Sequence, residues 1–231
     1  MIKLLPILLA LGAVYIMARF SAWRMAYGLK AQSRVLRNDA LERPLDRLAQ
    51  EAGVDSVVVR VLDEPMVNGL ATPSGEVYVT SGLLRHFQSG RLTAPEVASV
   101  VAHELGHLAL GHTRRRMMDV TAAQTATMVI GGLLSRFIPF IGFYIAQMLA
   151  NLFIAKLSRK DEFEADAYAT ALMVKAGFGA EPQATMLEKL ESLVPGGALA
   201  QPAPWLASHP PVTERAAQIR ANAARWEGRA A

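Results

Sequence analysis

Apolar and polar positions change period several times along this chain, and each change marks an element. Leu4 to Ala18 is a run of 15 uncharged residues between Lys3 and Arg19, with Arg24 just beyond. That is short of the ~20 residues needed to cross a bilayer. Lys3 and Arg19 can snorkel, however, and Phe20, Ala22 and Trp23 lengthen the apolar surface. No small-x-small cleavage site with a polar start follows, so residues 1–30 are expected to be an uncleaved membrane anchor rather than a signal peptide. From Ser33 to Gly53, Leu36, Ala40, Leu41, Leu45, Leu48 and Ala49 recur at spacings of three and four, which predicts a helix stopped at Gly53. Ser56 to Leu62 is β-branched and reads as a strand. Asn68–Ala71 and Val77–Thr80 flank the turn signal Pro73-Ser74-Gly75 and predict a hairpin. Ser81 to Phe87 reads as a short helix. Thr93-Ala94-Pro95-Glu96 has the capping residue, early proline and third-position glutamate that start another.

Val120 to Ala155 is a block of another kind: 36 residues with one charge, Arg136, interrupted at Gly131-Gly132, Pro139 and Gly142. Its arms, about 16 and 19 residues, are short for full membrane spans. They suit either a membrane hairpin turning near Arg136 or two apolar helices lying partly on the folded domain and partly in the interface. A charged helix resumes from Lys156 to Gly177. Pro182–Val194 is amphipathic, with Met186, Leu187, Leu190 and Leu193 as its stripe. Pro195–Pro211 reads as a loop and Val212–Trp226 as a final Ala- and Arg-rich helix. The class is α+β: mostly helical with a small antiparallel sheet, a domain over residues 31–231 following the anchor.

Composition removes several function classes. Of the 231 residues 52% are hydrophobic and none is cysteine, which excludes disulfides, Cys-ligated zinc and a cysteine nucleophile. The net charge of +4 comes from scattered arginines, and aromatics are only 7%, so nucleic acid is not an expected partner. Arg19, Arg24, Lys30, Arg34 and Arg37 outnumber the positive charges before the first apolar run. By the positive-inside tendency the bulk of the chain should face the cytoplasm, at a membrane of the bacterial inner-membrane type.

The chemistry lies in His103-Glu104-Leu105-Gly106-His107. Positions four apart on a helix lie nearly over one another, so both imidazoles can grip one metal ion while Glu104 holds and deprotonates a water. With five histidines in the chain, chance produces this pattern at roughly half a per cent. A catalytic zinc site needs a third protein ligand. Zinc proteases with a late third His place Gly and His seven and ten residues beyond the first, whereas Gly111 and His112 fall at eight and nine. On a continuous helix His112 would face away from His103, and it is expected to cap the helix or lie at the surface. Glu162 is the better candidate. Glu162 and Asp166 share a helix face, so one can reach the metal while the other accepts the second ring N–H of a ligand His. Ala165 between them permits close helix packing. Glu164, about 200° from Glu162, belongs to a solvated face.

These pieces together resemble the membrane-linked gluzincin peptidases that include HtpX, the CAAX prenyl endopeptidases and the mitochondrial Oma-type proteases. The resemblance rests on His103–His107, on Ser158-Arg159 with Glu162-Phe163-Glu164-Ala165-Asp166, on Ser208-His209-Pro210-Pro211 with Arg215, and on Asn68–Ala71 with Val77–Leu84. It implies a zincin-like domain with one Zn2+ on His103, His107 and Glu162, Glu104 as general base, and Asp166 behind a ligand. His209, braced by two prolines, is expected to donate to the oxyanion of the tetrahedral intermediate. Arg159 and Arg215 are expected to organise carboxylates around the site. Asn68, Gly69, Leu70 and Ala71 are the expected edge strand to which a peptide substrate adds. Gly69 stands where the family usually has Ala, and one N-terminal span replaces the two or more of HtpX and the CAAX enzymes, so prenylated substrates are not implied. The expected function is a zinc metalloendopeptidase acting on membrane-associated or misfolded polypeptides, with a bilayer as its other partner. The competing expectation is a catalytically silent, membrane-anchored adaptor that binds polypeptides with the same fold.

Overall fold

The structure, a computed structural model, describes residues 26–72, 74–139, 141–193 and 211–227, with seven more between Gly12 and Arg24. The expected anchor therefore lies largely outside the described residues; those described within it are helical. Four strands follow: β1 Ser33–Val35, β2 Val59–Leu62, β3 Gly69–Ala71 and β4 Val77–Thr80. The helices are α1 Asp39–Ala52, α2 Ser81–Gln88, α3 Ala94–Ala109, α4 His112–Leu134, α5 Gly142–Lys175, α6 Glu181–Leu193 and α7 Val212–Glu227.

The sheet is mixed, not the antiparallel one expected. Its order is β1-β2-β4-β3, and β2 runs parallel to β4 while the outer pairs are antiparallel. After Leu62 the chain runs out to β3 at the edge, and the β3–β4 hairpin brings it back beside β2 in the same direction. Ser33–Val35 also departs from the expected helix. These residues pair with Leu62–Arg60, and the Arg60 Nε–H donates to Ser33 Oγ at 2.8 Å. Helix α1 starts only where the Asn38 side chain caps it, and it ends at Gly53 as expected.

The core lies between the sheet and helices α1, α3, α5, α6 and α7. Val77, Val79, Leu48, Ala98, Val101, Met173 and Ile219 are all completely or almost completely buried. Each of these side chains larger than alanine contributes about 1.5–3 kcal/mol relative to exposure, so α3 and α5 are held on a rigid base. Helix α3 carries the expected capping box: the Thr93 N–H donates to Glu96 Oε2 at 2.7 Å, and the Glu96 N–H to Thr93 Oγ1 at 3.4 Å.

The apolar block forms an antiparallel hairpin whose arms are extensions of α4 and α5. Gly131 and Gly132 lie inside α4 and do not interrupt it. The hairpin exposes large apolar side chains, with Phe137 at its turn 83% exposed, Tyr144 73% and Met128 70%. Helix α4 is long and apolar enough, by length and composition, to cross a membrane. At the root of the hairpin Arg115 Nη2 donates to Asp161 Oδ1 at 2.6 Å and Arg116 donates to Ser158, tying α4 to α5.

Candidate metal centre

Helix α3 stacks His103 over His107 with 4.7 Å between ring centroids and 3.1 Å between the two Nε2 atoms. Glu162, buried on α5, places Oε2 at 3.4 Å from His103 Nε2 and Oε1 at 3.4 Å from His107 Nε2. Donors on a tetrahedral zinc with bonds of 2.0–2.2 Å stand about 3.3–3.6 Å apart. The three residues thus converge at the separation of ligands sharing one ion.

Two small residues make this approach possible. A Cβ on Gly106 would lie 2.9 Å from the Ala165 carbonyl oxygen and 3.1 Å from the Ala165 Cα. The helices therefore touch backbone to backbone within one turn of His103, His107, Glu162 and Asp166. Ala165 was legible as a packing residue; Gly106 was not, because its partner lies 59 residues away.

Behind His103 stands a chain of buried polar groups. Asp166 Oδ1 is 3.0 Å from His103 Nδ1, and Arg215 clamps Asp166 through Nε to Oδ2 at 2.7 Å and Nη2 to Oδ1 at 2.8 Å. Arg215 Nη1 also lies 3.5 Å from Glu162 Oε2. Thr170 Oγ1 donates to the Asp166 carbonyl at 2.7 Å, and the buried Gln183 Nε2 donates to the same oxygen at 3.2 Å. Gln183 carried no signal in the sequence, being one glutamine on an amphipathic helix.

The electrostatics suit a cation. Burial opposes a charge on His103, but Asp166 and Glu162 outweigh it and push the ring up to about 10. Burial would raise Asp166, yet the Arg215 guanidinium holds it down to about 2. Glu104, Glu162 and Asp166 stand around the two rings with the Arg215 guanidinium, and the carboxylates favour a cation between them. Burial pushes the Glu104 carboxyl up, against the pull of His103 and His107. A raised carboxyl beside the donors is what a general base needs.

Residues 35–223 match Peptidase family M48. The chain belongs to this family. It is 33% identical over 153 residues to the mitochondrial metalloendopeptidase OMA1 of Arabidopsis thaliana, a stretch covering 66% of this chain and 28% of that protein. It is 35% identical over 157 residues to the metalloprotease YcaL of Escherichia coli, covering 67% and 57%. It is 28% identical over 228 residues to the protease HtpX of Pseudomonas paraeruginosa, covering 84% and 76%. The matched stretch thus spans less than two thirds of the first two of these M48 relatives.

The remaining expected residues fall as follows in this M48 chain. Gly69–Ala71 forms the edge strand β3, and Asn68 opens it, its N–H donating to Thr80 Oγ1 at 3.0 Å. A Cβ on Gly69 would sit 2.7 Å from Val100 Cγ1 and 3.4 Å from Glu104 Oε1, so the strand runs directly over Glu104. Arg215 lies inside the cluster, whereas Arg159 is exposed on α5 and is in none of the cluster's described ion pairs. His209 lies outside the described residues. His112 is neither a cap nor at the surface: only 2% exposed, it places Nδ1 at 3.1 Å from His107 Nδ1. Helix α3 ends at Ala109 and Gly111 takes a left-handed φ of 68°, which swings His112 back toward His107. The continuous-helix premise behind the sequence expectation fails at that glycine.

Proposed function

We propose that this M48 chain is a zinc-dependent metalloendopeptidase, held at a membrane, that cleaves membrane-associated or misfolded polypeptides. The observation that carries this reading is the convergence of His103, His107 and Glu162 at 3.1–3.4 Å with the half-buried Glu104 beside them. His103, His107 and Glu162 would hold the zinc, with Asp166 fixing His103. When bound, the zinc polarises the scissile carbonyl and the attacking water. Glu104 takes the water's proton on its carboxylate and later delivers it to the leaving amide nitrogen. His209 is assigned the oxyanion contact on its sequence setting. Strand β3 offers its free edge so that a peptide adds as a further strand over Glu104, paired through its backbone and tolerant of many side chains.

The membrane part of the proposal is supported by the exposed apolar hairpin of α4 and α5 and by the uncharged run at Leu4–Ala18. The excess of arginine and lysine after that run favours a cytoplasm-facing domain. The silent-adaptor reading has no observation in its favour, since binding alone does not require a carboxylate beside the three donors. Glu104→Gln tests the choice: zinc should stay bound while casein cleavage falls by several orders of magnitude. Cleavage by that variant at the native rate would remove the mechanism, and zinc binding without turnover in the native protein would favour the adaptor.

A further inference from the structure

His107 has two ring nitrogens with different tasks. Its Nε2 faces His103 and Glu162, so it must be unprotonated to hold a metal, and its proton then sits on Nδ1. That Nδ1 lies 3.1 Å from His112 Nδ1, and His112 Nε2 lies 3.1 Å from Glu164 Oε2 and 3.8 Å from Asp161 Oδ1. With His107 Nε2 free for a metal, one arrangement satisfies both 3.1 Å contacts. His107 donates from Nδ1 to a bare His112 Nδ1, and His112 donates from Nε2 to Glu164. Asp161 and Glu164 are already matched by Arg115, at 2.6 Å and 3.7 Å, and Glu164 by Lys160 at 3.3 Å. His112, Asp161 and Glu164 are also close enough together to hold an ion, but Arg115 and Lys160 already bring positive charge to the two carboxylates, which favours a hydrogen-bonded chain there.

We infer that His112 is a positioning residue for the metal ligand His107, setting its tautomer and ring orientation through a His107–His112–Glu164 chain rooted on α5. This inference rests on the zinc-peptidase reading and assigns a task to residues that reading leaves out. The two ligand histidines are thus braced differently. His103 is held directly by a carboxylate, His107 by a neutral imidazole that is itself held by one. Outer partners of this kind are worth about 10–100-fold in metal affinity.

The test measures zinc affinity of the full-length, detergent-solubilised protein by chelator competition in three forms. His112→Phe keeps a ring in the buried space but removes the acceptor, and should weaken zinc about 10–100-fold. His112→Asn places an amide oxygen near the lost Nδ1 and should stay within about threefold of the native value, although it fills the space less well. The opposite ranking, Phe near native and Asn impaired, would show a space-filling role and overturn the inference. Long-range proton–nitrogen NMR of the zinc-loaded native protein needs no variant. The inference requires the proton on Nδ1 of His107 and on Nε2 of His112, and a proton on His112 Nδ1 overturns it. Native protein that binds no zinc would instead bring down the metallopeptidase reading itself.

Discussion

Replacing Gly106 by alanine tests whether helix contact sets the metal geometry. The added Cβ would stand 2.9 Å from the Ala165 carbonyl oxygen and 3.1 Å from its Cα, both backbone atoms that cannot rotate away. Comfortable contacts for carbon begin near 3.4–3.5 Å, so α5 must retreat by about 0.3–0.5 Å. Glu162 and Asp166 flank Ala165 on the same helix and must move with it, whereas metal–ligand distances tolerate about 0.2 Å. Overpacking costs about 1–3 kcal/mol, and the better helix propensity of alanine returns about 1 kcal/mol. Metal-free stability should therefore fall by only about 0–2 kcal/mol. Zinc affinity should fall about 10–100-fold, the range for displaced supports of a metal site. Chelator competition gives the affinity, and urea unfolding in excess chelator gives the metal-free stability. A Gly106→Ala protein that binds zinc within twofold of native would refute the view that this contact places Glu162.

Other changes probe separate parts of the account. Arg215→Met should destabilise the protein by about 3–5 kcal/mol, because it strands the buried Asp166 charge; urea unfolding measures this, and a loss below about 1 kcal/mol would show the pair is not needed. Gly69→Ala clashes with Val100 Cγ1, 2.7 Å away, and touches Glu104 at an ordinary 3.4 Å, so activity should fall no more than a few-fold and Val100→Ala should restore it. Lost cleavage without rescue would mean that β3 cannot shift over Glu104 at all. Met128→Glu with Leu133→Glu should leave metal affinity unchanged yet reduce flotation with phospholipid vesicles; equal flotation would separate the hairpin from the membrane.

Much of the site was legible because its elements carry local signals. The His103–His107 spacing fixes both rings on one helix face, and Thr93 and Glu96 mark where that helix starts. Glu162 and Asp166 stood out through the same four-residue spacing. What escaped depends on contacts between distant segments. β2 and β4 pair in parallel because of the route taken through β3, which no alternation of side chains encodes. Ser33–Val35 directly precedes the apolar spacing that begins at Leu36, yet pairing with Arg60–Leu62 makes it a strand. Gly131 and Gly132 look like breaks, but α4 runs through both. His112 was misplaced because a helix was extended through Gly111, whose left-handed backbone ends it and turns the next residue inward.

The most direct measurement of the central claim is zinc content, by plasma mass spectrometry, of the full chain purified without added metal, beside its Glu162→Ala form. Three donors drawn from α3 and α5 predict about one zinc per native chain, and less than about a tenth of that when the carboxylate is gone. Equal zinc in both proteins, or none in the native chain, would contradict a centre built from His103, His107 and Glu162.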